Sequence, residues 1–233
     1  FGVRFLATYA SDDEQLDALK TWWQENGTSF LTGIAIVLGL FFGVRQWQNS
    51  TVANNGAASD LYQQIADVSS AKMSQAVTED DLLALQSSYN QLKSEHESSI
   101  YTRYAALIMA RFQAELNHLD AAAAELQWIL DNPELGFLKS ADEELFIITT
   151  LRLAKVKLAQ GEPQAAIDLL KVENIGNFAA VYAELEGDAL LSLGDREGAK
   201  AAYQRALAAI TNGNPVLLNL KLQDLGVSPV EQF

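Results

Sequence analysis

Apolar positions divide this chain into two unlike parts. Between Glu25 and Arg45 there is no charged residue. Phe30, Leu31, Ile34, Ile36, Val37, Leu38, Leu40, Phe41, Phe42 and Val44 cover every side of a helix, so the polar stripe of a soluble amphipathic helix is missing. The uncharged stretch from Asn26 to Val44 is 19 residues long. At helical rise it spans about 28 Å, close to the roughly 30 Å of a bilayer's hydrocarbon core. From Asp60 onward the pattern changes. Apolar residues recur at helical spacing, in segments broken by Gly, Asn and Pro. Period-two runs of Val, Ile and Thr are absent, and Ala and Leu dominate, so the reading is all-α: one transmembrane helix followed by a helical domain.

Three explanations compete for the apolar stretch. A cleaved signal sequence would use the small residues at 55–59. However, the run begins near position 28, behind Asp12, Asp13, Glu14, Asp17 and Glu25, whereas a signal opens on a short positive segment. A core helix seldom reaches this length without charge. A retained anchor over 28–48 fits best, with Trp22 and Trp23 before it and Trp47 after it as interfacial aromatics. Gly39 and Gly43 form a G-x-x-x-G that permits close approach of a partner helix, with Phe41 and Phe42 beside the contact; the plainer reading is that glycine is common in membrane helices. Lys20 on one side and Arg45 on the other do not orient the span. Residues 1–27 form a leader with a short amphipathic helix, in which Leu16, Leu19 and Trp23 share a face. Residues 49–59, small and polar, read as a linker, frayed or partly helical, and 60–233 as the folded domain.

That domain repeats itself. When Asn117, Gly161 and Gly194 are taken as equivalent turns, a small residue stands seven positions before each (Ala110, Ala154, Gly187). An alanine stands five after each (Ala122, Ala166, Ala199), and a bulky residue nine after (Leu126, Leu170, Tyr203). Small residues let two antiparallel helices approach, a bulky one fills the gap, and Gly or Asn turns the chain in the left-handed region. This is the logic of tetratricopeptide repeats of about 34 residues. The spacings are 44 and 33, the longer one attributed to an insertion at 133–144. The third copy matches best and the first is weakest. Upstream, Thr78 to Asp81 opens a helix like a capping box, and the helices around it read as a degenerate repeat or cap. Leu217, Leu218, Leu220, Leu222 and Leu225 mark a final helix covering the last repeat.

Charge and chemistry narrow the function. Thirty acidic against 16 basic residues give −14, a surface that repels nucleic-acid backbone. Without cysteine there is no thiol nucleophile, disulfide or thiolate zinc site, and His96 and His118 lie in separate segments, read as solvated or capping residues. No metal site or cofactor is expected, and nothing asks for an enzyme. Repeats of this kind hold polypeptides on the face lined by the first helix of each pair. The register puts Tyr104, Leu107 and Arg111, then Leu151 and Lys155, then Glu184 and Asp188 on that groove, against the plainer reading of ordinary solvated faces.

The layout "DEQLDALKTWWQENG", an apolar span, "RQWQ" and then tetratricopeptide-like copies resembles the YfgM-like family, ancillary subunits of the bacterial Sec translocon. The most specific piece is "LKTWWQENG"; "LLSLGDREGAKAAYQRAL" adds support, and residues 1–10 lie outside the match. The resemblance implies a single-pass inner-membrane protein with a cytoplasmic N terminus and a periplasmic repeat domain. It further implies a PpiD-like, prolyl-isomerase-type chaperone as partner and unfolded secretory chains as clients. The alternative is a membrane-tethered scaffold that captures a regulatory or assembly protein in the same groove.

Overall fold

The computed structural model describes residues 56–133, 139–210 and 215–227. The expected span with Gly39, Phe41, Phe42 and Gly43, and its flanking Trp22, Trp23 and Trp47, lie outside the described residues. Among the described residues no helix is long and apolar enough to cross a membrane.

The described chain is helical throughout, with no strand among these residues. Residues 56–71 form α1, followed by α2 (Glu79–Glu95), α3 (Ile100–Glu115), α4 (Leu119–Asp131), α5 (Lys139–Ala159), α6 (Pro163–Leu169), α7 (Ala179–Ser192), α8 (Arg196–Ala209) and α9 (Val216–Asp224). The stretch read as a linker to residue 59 is already helical from 56, because Ala58 is wholly buried and anchors α1 to the core.

Local chemistry accounts for the boundaries. Thr78 closes the expected capping box: the Asp81 N–H donates to Thr78 Oγ1 (3.3 Å) and the Thr78 N–H donates to Asp81 Oδ2 (2.9 Å). Asp195 accepts from the Gly198 N–H (2.9 Å) to start α8, and Pro163 opens α6, where its missing N–H leaves nothing unsatisfied. The three turns aligned in the sequence are one motif. Asn117, Gly161 and Gly194 all have positive φ (63°, 78° and 82°). At each, the turn residue's N–H donates three residues back (3.0, 3.0 and 2.9 Å) and the next N–H five back (2.7, 2.9 and 3.0 Å), the Schellman closure. A fourth copy was not anticipated: Gly226, φ 83°, closes α9 in the same way, with bonds of 2.8 and 3.0 Å. α9 thus ends as the first helix of a repeat does.

The hairpins α3/α4, α5/α6 and α7/α8 are the three copies, and packing passes mainly from each helix to the next, with α5 also touching α7. The small positions are buried as the alignment requires: Ala110, Ala154, Ala122, Ala166 and Ala199 are at most 2% exposed. At Gly187 two helices meet closely, since a Cβ there would collide with Cε1 and Cδ1 of the buried Tyr203 ring. The first copy, weakest in sequence, is complete: α4 runs for 13 residues and Leu126 is fully packed. The second is cut short. α6 has only 7 residues, and Leu170, the expected gap-filler, caps its end half-buried. The long spacing is absorbed between α4 and a 21-residue α5, where the insertion was placed.

The final helix covers the last repeat with one face only. Leu218 and Leu222 are buried against Ala183, Tyr203 and Ala206, while Leu217 and Leu220 are exposed. Of the two roles expected for His96, solvated or capping, the structure shows the second. It caps α2 and is buried, and its carbonyl accepts from Thr102 Oγ1 at 2.6 Å.

Candidate protein-binding groove

The first helices of the pairs, α3, α5 and α7, carry all seven groove residues read from the register, and the structure sorts them into three groups. Leu107 and Leu151 are corrections. At 9% and 8% exposure they belong to the core, and Leu151 sits with Ile147, Tyr182 and Leu185 in the seam between α5 and α7. An apolar side chain at such a seam gains more from its neighbours than from an open groove, so neither is offered to a partner. Tyr182 locks the same seam by donating its hydroxyl to the Ile147 carbonyl (2.7 Å), and burial pushes its pKa up to about 12.

Glu184 and Asp188 on α7 are already engaged. Lys221 of α9 donates to Glu184 Oε1 (2.7 Å) and to both Asp188 oxygens (2.7 and 2.9 Å). Its ammonium lies 5.4 Å from the Tyr203 ring centroid, and the Tyr203 hydroxyl donates to Asp188 Oδ1 (2.7 Å). Desolvation works against the Lys221 charge, but the bonds from Asp188 and Glu184 outweigh it and hold its pKa above the usual lysine value. Burial first, then the bond to Asp188, pushes the Tyr203 phenol well above its usual range. At this end both groove carboxylates are paired from within, by a single ammonium.

Arg111 and Lys155 behave differently. They line one cavity of about 270 Å³ with Arg152, Glu115 and the apolar Ala110, Ala114, Leu126 and Val156, formed by α3, α4 and α5. Arg111 is fixed: its Nε donates to Glu115 (2.6 Å), and its other nitrogens to the Lys72 carbonyl (3.1 Å) and Ser69 Oγ (3.4 Å) at the end of α1. Lys155 and Arg152 are exposed, and neither makes a hydrogen bond or ion pair among the described residues. Tyr104, 37% exposed, lies further along α3 against Tyr62 of α1, ring centroids 6.2 Å apart. Arg152 was missed in the sequence because it stands one position off the groove register. A signal was nevertheless available: from Glu144 to Glu162 no acid intervenes, while Arg152, Lys155 and Lys157 all fall inside.

Among the described residues no group of His, Cys, Asp or Glu is arranged to hold a metal ion. The cavity at Arg111, Arg152 and Lys155 has an apolar floor and charged walls. The family model for a tetratricopeptide repeat-like domain matches residues 20–227. The chain belongs to that family. Its repeat-like copies also fall within full-length relatives. The chain is 27% identical to the ancillary SecYEG translocon subunit of Escherichia coli (strain K12), over 94% of this chain and 98% of that protein. It is 26% identical to the protein of the same name from Haemophilus influenzae, over 94% of this chain and 100% of that one. For the Neisseria gonorrhoeae protein, also so named, the identity is 25% over 94% and 100%. These matches agree with the resemblance carried by "LKTWWQENG". No solved structure matches the chain.

Proposed function

We propose that this chain is an ancillary subunit of the Sec translocon that works by protein–protein contact through its repeat-like domain. The observation that carries this reading is the end-to-end similarity to ancillary SecYEG translocon subunits, over 94% of this chain and 98–100% of those relatives. The fold supports it, because a groove formed by α3, α5 and α7 suits a segment of polypeptide rather than a small molecule. In this reading residues 28–48 anchor the chain in the inner membrane with residues 1–27 cytoplasmic and the repeat domain periplasmic. Tethering at the translocon raises the domain's effective concentration beside emerging chains. The glycines at 39 and 43 face a neighbouring helix, and a PpiD-like, membrane-anchored isomerase is the nearest chaperone partner.

Co-isolation from detergent-solubilised membranes tests the reading. Translocon subunits are expected to accompany the full chain, together with a periplasmic prolyl-isomerase-type protein. Recovery of a cytosolic regulator without them would overturn it. Protease added to spheroplasts is expected to degrade the repeat domain; protection would reverse the topology. Carbonate extraction is expected to leave the chain in the membrane, and release would remove the anchor.

A further inference from the structure

The cavity between α3, α4 and α5 is electropositive in a chain whose net charge is −14. Every charged group facing it can be named. Arg111 and Glu115 come from α3, where they pair at 2.6 Å, and Arg152 and Lys155 come from α5. One acid therefore stands against three cations, and two of the cations have no partner among the described residues. With 30 carboxylates in the chain, surface cations are easily paired, and the other end of the groove shows such pairing. Here the opposite holds. Desolvation, then repulsion from Arg111, presses the Arg152 guanidinium below its ordinary value, although the residue as a whole is exposed. Among the described residues no carboxylate pairs with Arg152. The floor is apolar: Ala110, Leu126 and Val156 are buried beneath it, and the half-buried Ala114 is the part a ligand's aliphatic atoms can reach.

The geometry points to a docking site for an acidic polypeptide segment, whose side-chain carboxylates bridge Arg152 and Lys155 while an apolar residue rests on the half-buried Ala114. Charge complementarity selects this occupant. A basic or neutral segment leaves Arg152 repelled by Arg111 as before, whereas carboxylates offset that repulsion and add charge-assisted hydrogen bonds. Arg152 and Lys155 stand three residues apart on α5, so carboxylates spaced along a peptide can meet both. The inference rests on the protein-binding reading above and specifies the chemistry of the segment bound.

The test uses the full chain in detergent and a labelled ten-residue peptide alternating Asp or Glu with Leu and Ala, its C terminus amidated, followed by fluorescence anisotropy. At low salt it is expected to bind about tenfold tighter than its Asn/Gln counterpart, with the advantage shrinking as salt screens the charges. R152A/K155A, at exposed positions, is expected to lose about tenfold in affinity for the acidic peptide and to leave the Asn/Gln peptide unchanged. Arg111 is spared because it also ties α1 to α3. Equal binding of acidic and amide peptides, or an unaffected double variant, overturns the proposal. So does binding that requires a free C-terminal carboxylate. Co-isolation of translocon subunits is measured alongside. If wild type recovers them but shows no acidic preference, only the docking inference fails. If wild type recovers none, the functional reading fails whatever the peptides do.

Discussion

The two ends of the groove solve the same electrostatic problem in opposite ways. At the α7–α9 end Glu184 and Asp188 would face each other uncompensated, but Lys221 reaches both at 2.7 Å and lies over Tyr203. At the α3–α5 end Arg152 and Lys155 have no such partner. The difference lies in what comes next along the chain. α9 brings Lys221 onto α7, whereas α7, which packs on α5 at the Leu151 seam, sets no described acid against Arg152 or Lys155. A solenoid packs each helix mainly on its neighbours, so the charges along its groove depend on what each added helix happens to bring. One end is thus paired within the domain, and the other carries two cations with no described partner.

Breaking the closed end should cost stability, most of all at its centre. Tyr203 is 1% exposed, fills the gap against Gly187 and holds Asp188 by its hydroxyl. Tyr203→Ala is expected to destabilise by about 3–5 kcal/mol, read from denaturant unfolding. Gly187→Ala comes next. Its Cβ would collide with a ring that burial and the Asp188 bond hold in place, a strain of about 1–3 kcal/mol, partly offset by up to about 1 kcal/mol of helix propensity. Lys221→Met leaves two carboxylates adjacent and unpaired, and a loss of about 1–2 kcal/mol is expected. That loss depends on pH. The Lys221 and Tyr203 pKa values are both raised in the folded state, so the folded protein holds protons that the unfolded chain releases. Their contribution is complete below the ordinary lysine and tyrosine values and fades as pH rises through the folded ones. Melting curves of wild type should therefore fall more steeply above about pH 10 than those of Lys221→Met, and the two should converge.

Much of this arrangement is visible in the sequence. Asn117, Gly161 and Gly194 mark the turns because few residues other than glycine and asparagine accept positive φ, and the alanines five positions on follow from close helix approach. Gly226 obeys the same rule, but the segment after it is too short to show a second helix, so its turn went unrecognised. The groove was less legible. A seven-residue register says which side of α5 carries Leu151 and Lys155, but not that α7 packs close enough to bury the first and leave the second open. Nor does it say that Lys221, more than thirty residues from Glu184, would settle onto it. Those facts depend on how far apart successive helices sit, which the truncated α6 and the long α5 set together.

The open end should respond to mutation in the opposite sense, and by the least. Arg152→Ala removes a guanidinium that is repelled by Arg111 and paired with no described residue. No ion pair is lost, and the substitution puts a strong helix former within α5. The expected change is within about 0.5 kcal/mol, leaning towards stabilisation. The lean should vanish at high salt, where repulsion between exposed charges is screened. Thermal melts of Arg152→Ala and Lys221→Met at low and high salt measure the contrast directly. Removing one cation weakens the fold because its charge was answered inside the domain. Removing the other does not, because no described side chain answers its charge. If Arg152→Ala instead lost as much stability as Lys221→Met, Arg152 would have to be a structural cation, and the open end of the groove would be closed after all.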